Sequence, residues 1–257
     1  MLQVNNLSVY IYVFCRMTGM IALNPIFNRR NVPAQVRVGI ILCLTILLAP
    51  SAPFLLPSGY GQNFQMLLGM VREVLIGAVC AYIFLIFYYM LFFAGDLMDM
   101  QFGLSMARVF DPGTNIQASM SGSLFNVLFL LYFFATDSHL ILIRAFAASF
   151  QLIPAGGGIQ WQMISPFIQE VFSSAFLMIL HLALPFIAAE FVVEVSMGVL
   201  MKLIPQIHVF VINIQMKVLL GLFMLYVFAQ PISEFVDRYM NSLIKSLEKV
   251  LTVMAGA

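Results

Sequence analysis

Long apolar runs separated by short polar breaks dominate this chain. The runs occupy approximately 7–27, 36–56, 64–95, 116–135, 138–152, 166–203 and 207–231, and each is predicted to be helical. Turn chemistry separates them at Asn24-Pro25, Val32-Pro33, Pro50 to Pro57, Asp111-Pro112-Gly113, Pro154 to Gly158, and Pro205. The run 166–203 is long for one simple span. Pro185 is predicted to kink or divide it, because proline removes a helix hydrogen bond. The C-terminal segment has a different pattern. Ile232, Val236, Tyr239, Leu243, Leu247, Val250 and Met254 recur at helical spacing, with Glu234, Asp237, Arg238, Lys245, Glu248 and Lys249 mostly on the other sides. This pattern predicts an amphipathic helix that either lies at a membrane interface or packs on a partner.

The break between the third and fourth runs, Leu97 to Gly122, is the most informative. The segment before it, Val74 to Gly95, has 22 residues and no charge, and the segment after it is uncharged through Thr136. Asp96, Asp99, Gln101, Arg108 and Asp111 crowd between them. Within a membrane, polar or irregular backbone persists only where protein covers it or where it lines a watery path. The break is therefore the best candidate for the working part.

Composition sets the class. Hydrophobic residues make up 62% of the chain and charged residues 9%, against about 25% charged in a soluble domain. The chain is predicted to be an all-α, multi-helix integral membrane protein with kinked or broken helices. A net charge of +1 gives no footprint for nucleic acid. Cys15, Cys43 and Cys80 lie in apolar runs without paired spacing and are predicted to be buried small hydrophobes. The first run is preceded by no basic segment and followed by no small-residue cleavage site, so it is expected to be a retained helix.

Arg16, Arg72, Glu73, Arg144, Glu190, Glu194, Lys202 and Lys217 fall within or beside apolar runs. A charge at the bilayer centre costs about 2.5–3.5 kcal/mol on the insertion scale, so eight facing lipid would cost about 20–28 kcal/mol. A typical net stability is about 5–15 kcal/mol. Most of these groups must therefore sit at an interface, pair, or face other protein. Glu190 and Glu194 share a helix face with Lys202 two turns further on, and pairing between chains would satisfy them.

Three function classes compete. An enzyme lacks support: there is no zinc signature, His139, His181 and His208 are scattered, and the serine-glycine step at Ser121 has no base beside it. No cofactor or metal site is indicated. A proton- or ion-coupled transporter using Asp96 and Asp99 is the serious rival, since carboxylates at membrane depth are functional candidates. Against it, the two can sit at a helix end in water or pair with Arg108, and no inverted repeat is evident. A pore or gate component is the third class. Phe110-Asp111-Pro112-Gly113 makes a tight turn able to present a bulky ring, and Met98, Met100, Met106 and Met120 supply side chains that repack easily. Gly77 with Ala81, Gly103 with Ala107, and Ala118 with Gly122 permit close helix contacts.

The segment AGDLMDMQFGLSMARVFDPG, from Ala94 to Gly113, resembles the signature of the FliR family of flagellar export-gate membrane proteins, whose injectisome counterpart is SctT. NPIFNRRNVPAQVRVGI from Asn24, REVLIGAVCAY from Arg72, SHLILI around His139, SFQLIP up to Pro154 and LIPQIHVFVIN from Leu203 are also similar to that family, in the same order. Together they cover nearly the whole chain.

The resemblance implies a core component of the flagellar type III export gate, in the bacterial inner membrane at the basal body. It implies a hetero-oligomeric helical gate built with FliP-like and FliQ-like subunits, beside FlhB-like and FlhA-like proteins, passing unfolded export substrates. On that likeness residues 1–165 are FliP-like, and residues 166–257 form a FliQ-like hairpin plus the C-terminal amphipathic helix. The loop at about 106–122 corresponds to the family's channel plug, which assigns gate roles to Met106, Arg108, Phe110, Asp111, Pro112, Gly113, Thr114 and Asn115. Asp96, Asp99, Glu190, Glu194 and Lys202 are the candidate subunit contacts.

Overall fold

The computed structural model describes residues 2–29, 31–55, 62–105, 119–204 and 209–256. Among them the chain is all-α. The helices are α1 (Leu2–Ala22), α2 (Ala34–Leu48, continued by a short 3-10 turn, Ala49–Ser51), α3 (Gln62–Gln101), α4 (Met120–Ala135), α5 (Ser138–Leu152), α6 (Trp161–Leu203), α7 (Val209–Val227) and α8 (Ala229–Ala255). Among the described residues three stretches are long and apolar enough to cross a membrane: Ala34–Ser51, Phe64–Gln101 and Trp161–Leu203. The α4–α5 and α7–α8 pairs qualify as broken spans, the second bent by 64°.

Two helices exceed their predicted lengths. α3 has 40 residues and α6 has 43, which is about 60–65 Å at 1.5 Å per residue, twice the hydrocarbon thickness of about 30 Å. α3 does not end at Gly95 but continues through Asp96 and Asp99, stopping where Gly103 turns left-handed (φ 73°). Glycine accepts that conformation without a Cβ penalty, a common way to end a helix. Pro185 does not divide α6. Helix continues on both sides of it, the lost hydrogen bond being tolerable inside a long apolar helix.

The described chain forms two compact units, the first made of residues 1–87, 137–172 and 242–257, the second of 88–136 and 173–241. In the first unit Tyr12, Met17 and Met20 of α1 are buried, as are Ile76, Phe84 and Phe87 of α3, Phe146 and Phe150 of α5, and Leu247 and Val250 of α8. Gly19 and Gly77 bring α1 and α3 backbone to backbone, so that a Cβ on either would overlap the other helix. Residues 53–55 and 155 are tied by a parallel bridge, with Leu55 N–H donating to the Ala155 carbonyl at 2.9 Å. In the second unit Phe186 packs against Phe102 and Phe228, with ring centres 6.1 and 5.3 Å apart.

Two further expectations change. The seven apolar positions of α8 are all buried, as the spacing predicts. The chain itself covers them, so neither a bilayer surface nor a partner is needed for that face. Of the cysteines, all free, only Cys80 is buried; Cys15 is intermediate and Cys43 is exposed on α2, because α2 offers a uniformly apolar surface without a single inward stripe.

Candidate functional site

The polar break resolves into a junction between α3 and α4 in the second unit, organised by Asp99. Helical periodicity puts Gly95 and Asp99 one turn apart on α3. At Gly95 there is no side chain, and the start of α4 lies so close that a Cβ there would fall inside the backbone of Gly122. At that distance the Asp99 carboxylate, 1% exposed, reaches the free N–H groups at the N-terminus of α4. Ser119 Oγ donates to Asp99 Oδ2 at 2.8 Å and Met120 N–H donates to the same oxygen at 2.7 Å. Ser121 N–H donates to Oδ1 at 3.2 Å. Ser119 is itself the N-cap, its Oγ accepting from Gly122 N–H at 2.9 Å.

The arrangement is electrostatically consistent. The first N–H groups of a helix lack intrahelical partners and carry partial positive charge, which a carboxylate satisfies twice over. The bonds are charge-assisted and removed from water, the condition in which each is strongest. On the other side, Ser105 Oγ donates to the Asp99 carbonyl at 3.2 Å. Residues 105 and 119 to 121 therefore both close on Asp99. The chain between them has its two ends held by one residue.

The predicted plug residues Met106, Arg108, Phe110, Asp111, Pro112, Gly113, Thr114 and Asn115 lie outside the described residues. The other candidates do not form one cluster. Asp99 is fully engaged with α4, and Asp96 is half-buried on the same helix. Glu194 of α6 pairs with Lys217 of α7 at 3.2 Å, while Glu190, one turn away, is 1% exposed. Lys202 is exposed in the last turn of α6, where a cation suits the helix C-terminus. Sequence reasoning missed Ser119 and the Gly95–Gly122 contact. The signal was present, since a serine directly before an apolar run is a helix-start mark.

The first unit holds a second polar cluster, which explains two of the buried charges. Arg16 Nε donates to Glu73 Oε2 at 2.5 Å, both side chains being buried. Arg16 Nη1 donates to the Ser149 carbonyl at 2.9 Å, and the guanidinium lies 4.2 Å from the Phe150 ring centre. Glu73 Oε1 accepts the Gly156 N–H at 2.8 Å. This cluster ties α1, α3, α5 and the loop after α5 through one ion pair. For these two charges, of the places the sequence allowed (an interface, a pair or other protein), the structure shows a pair within the chain.

Apolar helices long enough to span a bilayer, broken helix pairs, and buried charges such as Arg16 and Glu73 paired inside the chain define a polytopic helical membrane protein. The chain belongs to the bacterial export proteins, family 1, whose family model matches residues 7–243. It is 26% identical over 253 residues to the flagellar biosynthetic protein FliR of Bacillus subtilis (strain 168), covering 95% of each chain. It is 26% identical over 246 residues to the protein of the same name from Escherichia coli (strain K12), covering 96% of this chain and 94% of that one. The surface presentation of antigens protein SpaR of Shigella flexneri is 21% identical over 222 residues, covering 86% of this chain and 84% of that one.

Proposed function

We propose that this chain is a core component of the flagellar type III protein export gate in the bacterial inner membrane. On this reading it assembles with FliP-like and FliQ-like subunits, next to FlhB-like and FlhA-like proteins. The observation that carries the proposal is the match to flagellar biosynthetic proteins along 95% of both chains. Family membership over residues 7–243 supports it independently of any single relative. Residues 1–165 would fill a FliP-like position and residues 166–257 a FliQ-like one. The chain works as a structural and gating element and not as an enzyme.

Within this reading the segment between Ser105 and Ser119 plugs the axial path, with Phe110 as the occluding ring and Asp111, Pro112 and Gly113 shaping the turn. Support comes from its anchorage: the residues on both sides of the segment close on the buried Asp99. A tethered base lets a plug move aside for an unfolded polypeptide and return to the same place. The Asp99 bonding also argues against the transporter reading, because a carboxylate committed to three donors at a helix N-terminus is a poor ion carrier.

Deleting Phe110–Asn115 tests the plug. The expected result is a complex that still assembles in a membrane that now leaks ions. An assembled complex with unchanged ion permeability would remove the plug assignment.

A further inference from the structure

The second unit contains an unsatisfied acid. Glu190 is 1% exposed, and neither carboxylate oxygen has a hydrogen-bond partner among the described residues. One turn along α6, Glu194 is bonded to Lys217 of α7 at 3.2 Å. Its side chain is 59% exposed, whereas that of Lys217 is 14% exposed. Lys217 lies within electrostatic reach of both acids but serves the one nearer the outside. A third acceptor, Asn213 Oδ1, is also buried without a partner among the described residues, one turn before Lys217 on α7. Among the described residues the seam between these helices thus holds two carboxylates against one lysine, and its unmet groups are acceptors.

A buried carboxylate without a donor is among the least favourable arrangements in a protein interior. The surface around Glu194 makes the position less stable still. Beside it on α6, Phe191 and Val195 are at least half exposed. An exposed carboxylate flanked by apolar side chains suits neither hydrocarbon nor water. It suits a protein helix that is itself apolar and carries one basic side chain. That occupant supplies the donors that the seam lacks and the positive charge that balances it.

We propose that Lys217 changes partners on assembly: a basic side chain on an apolar helix of a neighbouring subunit takes Glu194, and Lys217 turns inward to Glu190. The inference rests on the export-gate reading for the existence of that neighbour. The exchange needs only rotation of the lysine's four-carbon stem, since the two acids are one helical turn apart on the same face. It removes the orphaned acid and neutralises the seam in one event. It also makes the hairpin most favourable when the neighbour is present. An arginine fits the partner position better than a lysine, because its several donors can serve Glu194 on both oxygens.

The test is a cryo-electron microscopy structure of the complex, purified through a tag on this chain after co-expression with FliP-like and FliQ-like subunits. The expected result has Lys217 Nζ within hydrogen-bond distance of Glu190, and a neighbour's basic side chain on Glu194. Lys217 still on Glu194, with Glu190 unpaired in an assembled complex, would overturn the exchange and leave the export-gate reading standing. Failure of any such complex to form would sink both. Glu194→Gln provides a second measurement. Recovery of the complex is expected to drop at least about tenfold, as for loss of one member of a buried charge pair, while the melting temperature of the isolated chain stays unchanged. Unaltered recovery would also overturn the exchange.

Discussion

Asp99 shows how much one side chain organises in a chain with few charges. It satisfies Ser119 Oγ and two helix-terminal N–H groups, and all of them become orphaned when the carboxylate is removed. Asp99→Ala is expected to destabilise the second unit by about 2–4 kcal/mol, combining a lost cap with buried unpaired donors. Asp99→Asn keeps an acceptor oxygen and should lose less than half of that. Thermal unfolding of the purified chain in detergent gives the comparison, and equal melting temperatures for both variants and the wild type would refute the role. The Arg16–Glu73 pair makes a different point. Glu73→Ala strands a buried guanidinium and should cost about 3–5 kcal/mol, whereas replacing both residues by apolar ones should cost far less. If the double replacement is as damaging as the single, the pair is not the reason. The sequence flagged both residues as needing partners on energetic grounds. It could not say which partners, because Arg16 and Glu73 are 57 positions apart and nothing local links them.

At the scale of elements, what was legible was local. The apolar runs predicted the helices, and the α8 spacing picked out seven positions that are all buried. What covers that face was not legible, since periodicity reports an apolar stripe but not its neighbour. Val250→Asp separates the possibilities: on the observed packing it places a charge in a closed core and should abolish recovery of folded chain. A helix lying at a lipid interface would tolerate it better, so normal recovery would contradict the packing. Helix ends were harder. The polar side chains of Asp96 and Asp99 read as a break, yet α3 carries them because the Asp99 carboxylate is satisfied by another helix. Pro185 read as a kink or a divider, and the dividing half fails because α6 continues through it. Both misreadings share a cause: a local rule was outweighed by a tertiary contact or by a long cooperative helix. Gly95 tests the junction at this scale. Gly95→Val would put branched carbons into the backbone of Gly122 and should separate α3 from α4. The expected outcome is loss of protease resistance around residue 119 with α1 and α5 still protected. Undiminished resistance would show that the close approach is dispensable.

For the whole molecule, the distribution of exposed apolar surface bears on whether the chain works alone or in an assembly. In the second unit α7 exposes Leu219, Leu222, Phe223, Tyr226 and Val227, more than a self-sufficient protein in water would leave uncovered. A membrane environment accounts for these apolar groups, but not for the exposed Glu194 carboxylate on α6. Neighbouring subunits account for both. Which faces meet lipid and which meet protein was not readable from the sequence, because hydrocarbon and an apolar helix select the same residues. The family, by contrast, was readable from ordered motifs along nearly the whole chain, and the match over residues 7–243 bears it out. The central claim is that this chain acts only within an assembly. Native mass spectrometry of the tagged chain, co-expressed with the proposed FliP-like and FliQ-like subunits, tests that most directly. The account predicts one large complex containing a single copy of this chain and several copies of each neighbour. A stable monomer or homodimer that ignores them would contradict it.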